Sequence, residues 1–209
     1  MPIYTIGHST HESERFVEIA HGAGVEVIVD IRSHRSSKWP QWRGERMDVW
    51  LPMFGFGSES APGLGGWDVR HSEFRDWAAE RGVRLDRYLR GFFPKDHISK
   101  KLKATGQLRL GEDPDRQSLW TSQGLHDYAW FTALPEFQTA LEQLERDRRA
   151  VAILCSEVLW WKCHRQIVAD ALVARGTDVL HILPGSIKPH PLGTRLERYP
   201  REVLRAWGL

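Results

Sequence analysis

Three observations place this chain in the α/β class, as a three-layer, open, mostly parallel sheet with helices on both faces. First, the runs Val25–Ile31 and Val151–Cys155 are β-branched or aliphatic almost throughout, as strands buried on both faces are. Second, amphipathic segments with helical spacing alternate with these runs. Third, the order strand, helix, strand opens the chain and recurs in its last third.

The elements follow in order. Ile3-Tyr4-Thr5-Ile6 is a short apolar run closed by Gly7. Ser9 or Thr10 is placed to cap a helix that carries Phe16, Val17, Ile19 and Ala20 and stops at Gly22 and Gly24. With Val25–Ile31 as the second strand, this unit predicts two parallel neighbours in the sheet. The glycine-rich stretch 54–66 reads as strand plus loop, and 71–109 alternates helical patches with basic loops. Farther on, Pro135–Arg148 turns Phe137, Leu141 and Leu144 to one face and leads into Val151–Cys155. A helix from Cys163 to Arg175 carries Ile167, Val168, Ala171 and Leu172, and Gly176 ends it before a strand at Asp178–Leu183. Pro184 and Gly185 break the chain, and a short helix is expected at Arg201–Trp207. No repeat or linker divides the sequence. The expected organisation is one domain over 1–209, with a basic helical insertion at 67–127 and a C-terminal tail at 184–209.

Composition narrows the function. At 209 residues the chain buries a core without covalent staples. No stretch reaches 18 consecutive apolar residues, and Met1–Thr5 lacks the pattern of a secretory leader, so no membrane partner is expected. Two cysteines rule out a disulfide framework and suit a reducing cytoplasm. The formal net charge of +2 hides an uneven distribution. Residues 31–46 hold five Lys/Arg (Arg32, Arg35, Lys38, Arg43, Arg46) against Glu45, and 81–109 hold nine against Asp86 and Asp96. Those stretches carry +4 and +7, which leaves −9 for the rest. Two basic segments on an acidic body predict a polyanionic partner, nucleic acid and most plausibly DNA.

In an open α/β sheet, ligands gather at the carboxyl ends of the strands. There the sequence places Gly7-His8-Ser9, Asp30-Ile31-Arg32 and Cys155-Ser156-Glu157, with Cys163-His164-Arg165 opening the next helix. Asp30 and Glu157 are the candidate general acids or bases, with Asp30 alternatively holding Arg32 or His8 in place. Cys163 at a helix start is a candidate thiolate beside His164, and Cys155 a second candidate nucleophile or a buried hydrophobe. Ser9, Arg32, Arg35, Lys38, Arg43 and Arg165 are candidate phosphate ligands, and the indoles of Trp39 and Trp42 candidate stacking surfaces. The C-x₇-C-H spacing matches no compact zinc pattern, so neither a metal nor another cofactor is expected.

Taken together, Tyr4-Thr5-Ile6-Gly7-His8-Ser9, Val29-Asp30-Ile31-Arg32, Leu154-Cys155-Ser156-Glu157 and Cys163-His164-Arg165 resemble the DUF488 family. Leu64-Gly65-Gly66, Pro135-Glu136-Phe137, Ala169-Asp170-Ala171-Leu172 and Val179-Leu180-His181-Ile182 add to the resemblance, which spans about 3–66 and 128–183. It implies a compact α/β fold with the Cys-His-Arg segment at a polar crevice. Some relatives are linked to DNA containing modified bases and to base excision. The stretch from 67 to 127 is longer than the family's usual connection.

Three functions compete. In the first, the chain is a DNA glycosylase-like hydrolase that breaks the N-glycosidic bond of a modified base. Asp30 or Glu157 activates water, His8 orients or protonates the base, Arg32 and Arg165 hold phosphates, and Trp39 or Trp42 stacks. The second is a thiol enzyme resembling sulfurtransferases, with Cys155 or Cys163 acting on a small anion. Against it, Glu157–Lys162 separates Cys155 from the helix where a sulfur-cradling loop would run straight in. The third, a non-catalytic nucleic-acid-binding module, leaves the converging Asp, Glu, Cys and His unexplained.

Overall fold

A computed structural model describes residues 1–65, 76, 78–82, 123–192, 196–197 and 199–209. The strands are β1 (Ile3–Gly7), β2 (Val27–Asp30), β3 (Gly57–Ser60), β4 (Val151–Cys155), β5 (Val179–Leu183) and β6 (Ser186–Pro189). They form one sheet in the order β3-β2-β4-β1-β5-β6, parallel except for β6. The helices are α1 (Ser13–Gly22), α2 (Gly44–Met53), α3 (Gln123–Phe131), α4 (Pro135–Arg146), α5 (Arg165–Ala174) and α6 (Arg201–Ala206).

Successive strand residues point to opposite faces, and the two cores follow that alternation. Val27 and Val29 of β2, with Val151, Ile153 and Cys155 of β4, pack in one cluster with α3, α4, α5 and α6. Ile28, Ala152 and Leu154 pack on the other face with Phe16 and Ala20 of α1 and Met47 and Leu51 of α2. This is the expected three-layer α/β sandwich. No helix among the described residues is long and apolar enough to cross a membrane.

Two local expectations are corrected. β1 and β2 are parallel but not neighbours, because β4 lies between them, with Tyr4 and Ile28 both opposite Ala152. All five β4 residues are buried, so its backbone needs a partner strand along each edge, and the central slot supplies both. α1 also begins later than predicted, at Ser13 with Glu12 as an uncapped N-cap. Ser9 cannot cap it, since its backbone adopts φ 45° and its N–H donates to the Ser156 carbonyl at 2.8 Å. The pairing of β1 with β4 thus continues past the strand proper. Two elements went unpredicted. α2 starts at the end of the basic stretch, and its Met47 and Leu51 are too few to reveal a period, while β6 folds back on β5 through Gly185.

Beneath α5 a chain of polar groups runs through the interior. The Thr5 hydroxyl lies 2.7 Å from His181 Nδ1, His181 Nε2 lies 2.8 Å from His190 Nδ1, and His190 Nε2 lies 2.6 Å from Asp170 Oδ1. The Tyr199 hydroxyl donates to the other Asp170 oxygen. One assignment satisfies every member: each neutral imidazole donates from Nε2 and accepts at Nδ1, and the direction runs from Thr5 to the carboxylate. Asp170→Ala removes the buried carboxylate that accepts from His190 and Tyr199. Its expected cost is about 3 kcal/mol in the urea-unfolding free energy.

Candidate functional site

β1, β2 and β4 end at one edge, with Gly7 opposite Cys155 and Asp30 opposite Leu154. Here a cleft of about 360 Å³ is lined by Arg32, Ser33, His34, Leu125, Cys155, Ser156, Glu157, Lys162, Cys163 and His164. The edge brings together Cys155, Glu157, Cys163 and His164, as the motif spacing suggested. It treats Asp30, Arg32, His8 and Arg165 differently.

Asp30 has no exposed surface. Its Oδ1 accepts from the Arg32 backbone N–H and Nε, and its Oδ2 from Arg32 at 2.6 Å and Arg35 Nε at 3.1 Å. Arg32 also donates to the Trp42 carbonyl at 2.9 Å and lies 3.3 Å from His8 Nε2. Arg35 forks onto Asp48 at 2.9 and 2.6 Å. Of the five cations in 31–46, Arg32 and Arg35 are therefore neutralised within the fold. Asp30 is saturated by them and stands as their anchor, away from a reacting bond.

Trp42 is fully buried, donates Nε1–H to the His11 carbonyl at 2.9 Å, and lies flat on His8 at 4.7 Å. It is a core residue and cannot stack on a base, which corrects the sequence expectation. Arg165 is equally buried. Its guanidinium donates to the Glu157 carbonyl, to the Val158 carbonyl at 3.3 Å and to the Thr5 hydroxyl at 3.5 Å, so it clamps a loop and presents nothing to a phosphate. Lys38, Trp39 and Arg43 do reach the surface, with the Lys38 ammonium 5.3 Å over the Trp39 ring and Arg43 Nε donating to the Ser37 carbonyl. Ser9 is half-buried at the end of β1. The second basic stretch, beyond Arg81 and Gly82, lies outside the described residues, as does most of the expected insertion at 67–127.

His8 donates Nδ1–H to the Ser9 carbonyl at 3.0 Å and turns Nε2 to Arg32. Burial, with the Arg32 charge adding to it, lowers its pKa from 6.5 to about 4. A neutral, enclosed imidazole does not protonate a departing base at neutral pH, so that expected role is also corrected. Above pH 6.5 the folded and unfolded chains both hold His8 neutral. Between 6.5 and about 4 only the unfolded chain takes up the proton, so stability falls as the pH is lowered through this window. The loss approaches about 3 kcal/mol at its lower end. Denaturation midpoints at pH 7 and pH 4.5 should show it, with a shallower slope in His8→Gln.

The cysteines sit at the cleft floor, Cys155 at the end of β4 and Cys163 just before α5. His164 Nδ1 lies 3.8 Å from Cys155 Sγ and 3.7 Å from Cys163 Sγ, and its Nε2 lies 3.3 Å from the Ile31 carbonyl. Burial pushes the Cys163 thiol up but is outweighed by the Cys155 hydrogen bond and by its interactions with His164 and Arg165, so its pKa falls well below the usual thiol range. Cys155 moves the other way, through its hydrogen bond to Cys163 and through burial. Tyr128 lies edge-on to His164 at 5.1 Å and donates to the Leu64 carbonyl.

Glu157 is exposed and is the one carboxylate lining the cleft among the described residues. Its backbone rests directly on Gly7, where a Cβ would sit 1.9 Å from the Glu157 carbonyl oxygen. Ser33, His34, Ser156 and Lys162 were not singled out from the sequence as site residues. Ser156 and Lys162 adjoin recognised motifs, whereas Ser33 and His34 reach the cleft by a turn after β2 that carries no periodic signal.

No curated protein and no solved structure matches the chain. A family model does match, over residues 93–172, a stretch that includes α3, α4, β4, both cysteines and most of α5. It begins within the segment expected as an insertion and overlaps the resemblance drawn from the motifs at 128–172. The matching model is DUF488, a domain of unknown function, recognised over that stretch of the chain.

Proposed function

We propose that the cleft is the active site of a hydrolase acting on nucleic acid, which breaks the N-glycosidic bond of a modified base. The observation that carries this reading is Glu157, the one exposed carboxylate, among the described residues, in a cleft otherwise edged by Arg32, His34 and Lys162. In the reaction water adds to the sugar C1′ and gives up a proton to Glu157. The C1′–N bond breaks with its electron pair going to the base, which leaves as the anion and takes a proton from solvent, while Glu157 returns its proton to water. Glu157 is held for this task from behind, because Arg165 and Gly7 fix its backbone. Lys38, Trp39 and Arg43 are exposed and supply the cations and indole for phosphates and unstacked bases.

Duplexes carrying different modified bases, treated with alkali after incubation, test the reading. Strand scission at an abasic site is the expected result with at least one base. Weak, salt-sensitive binding with no abasic product from any of them overturns it.

A second reading is favoured by the lowered pKa of Cys163. As a thiolate at the cleft floor it could attack a small anionic substrate. That reading requires activity to vanish in Cys163→Ser and to survive Glu157→Gln.

A further inference from the structure

The Cys155 thiol, the Cys163 thiol and His164 Nδ1 all lie within 4.8 Å of one another. A tetrahedral zinc ion, with Zn–S of about 2.3 Å and Zn–N of about 2.0–2.1 Å, sets its S···N edges at about 3.6 Å. The two S···N edges here are 3.8 and 3.7 Å, within a few tenths of an ångström of that value, and the S···S edge is no longer than 4.8 Å, so the triangle has the size of a zinc site. The ring orientation agrees. A zinc-bound imidazole donates its other N–H to a carboxylate or carbonyl, which fixes the tautomer and aims the lone pair at the metal. His164 Nε2 faces the Ile31 carbonyl at 3.3 Å, leaving Nδ1 for the two sulfurs. We infer that Cys155, Cys163 and His164 form a site for one zinc-class divalent ion, with its fourth coordination position open to the cleft.

The C-x₇-C-H spacing hides this site because its ligands come from two elements. Cys155 ends β4, and Cys163 and His164 stand at the start of α5, brought to it by the return of the chain across the sheet edge. Soft thiolate ligands with one imidazole select zinc over magnesium or calcium. Three protein ligands with a vacant position are the arrangement of catalytic sites, since structural sites are closed by four. All three ligands line the cleft, so the remaining position faces it. In zinc deaminases, whose ion is held by one histidine and two cysteines, the open position takes water and a glutamate that is not a ligand moves its proton. Glu157, on the wall of the same cleft, has that relation to the cluster. This last step deepens the proposed hydrolase, whereas metal binding itself does not depend on it.

The experiment uses the full chain, stripped by chelator under a thiol-free reductant and titrated with Co²⁺ and then Zn²⁺. The expected result is one Co²⁺ per chain, with the intense visible bands of a tetrahedral ion and thiolate-to-cobalt charge transfer in the near ultraviolet. Zn²⁺ should displace it and shield both cysteines from a thiol reagent. Cys155→Ser and Cys163→Ser should each lower affinity by more than the roughly 10–100-fold that loss of an outer partner costs. His164→Gln should weaken binding while keeping the sulfur charge transfer, and near-ultraviolet circular dichroism confirms that each variant is folded. Absence of a tetrahedral signal in the reduced wild type, or binding that persists unchanged in folded Cys163→Ser, overturns the site. The two proposals fail separately. A protein that releases bases but gives no tetrahedral Co²⁺ signal overturns the metal site alone, and a metal-loaded protein inactive on every duplex overturns the hydrolase alone.

Discussion

Asp30→Ala is expected to lower the unfolding free energy by about 3–5 kcal/mol, the cost of leaving a buried cation without its counter-charge. Arg32 and Asp30 are 5% and 1% exposed in their side chains, and four hydrogen bonds from Arg32 and Arg35 converge on this carboxylate. Without it, the Arg32 guanidinium keeps only the Trp42 carbonyl, the His8 ring and the Met47 sulfur. The comparison is Asp48→Ala, which removes the other partner of Arg35. That carboxylate is 46% exposed, so its loss costs about 1 kcal/mol or less. Urea denaturation of the two variants side by side measures the difference. Equal small effects would mean that Asp30 is not the anchor described here.

Gly7→Ala is expected to be as severe, for a steric reason. A Cβ at this position would lie 1.9 Å from the Glu157 carbonyl oxygen and 2.8 Å from Val158 Cα, both backbone atoms with no rotamer to change. Either β1 parts from β4 or the 157–158 loop lifts off the sheet, and the expected cost is about 4 kcal/mol or more. The loop is also clamped by Arg165, so a folded fraction of the variant carries Glu157 displaced in the cleft. Gly22→Ala is the control, since nothing lies within 4 Å of a Cβ there and the position ends α1. It should change stability by less than about 1 kcal/mol.

These two residues show what could be read from the sequence. Gly7, Asp30, Glu157 and Arg165 stood out because each ends or begins a periodic element, and strand ends share an edge once the strands are parallel. The strands at 3–7, 27–30, 151–155 and 179–183 and the helices at 135–146 and 165–174 were legible for the same reason. What failed was the direction in which side chains face. Arg32, Arg165, His8 and Trp42 have the chemistry of ligands for phosphates and bases, yet the fold uses them inward, and only the packed partners reveal it. A guanidinium that meets a backbone carbonyl and one that meets a phosphate leave the same letter in the sequence. The slot taken by β4 between β1 and β2 was hidden too, because it is fixed by which strand must be covered on all sides. The Cys155–Cys163–His164 triangle depends on the same non-local pairing.

In the proposed function Glu157, at the wall of this cleft, carries out the hydrolytic step. The direct measurement is the single-turnover rate of base release by wild type and Glu157→Gln on one duplex substrate, at matched stability. The account predicts a fall on the order of 10²–10⁴-fold, the usual contribution of a positioned general acid or base. Unchanged release in the variant would contradict it and move the chemistry to the cysteines.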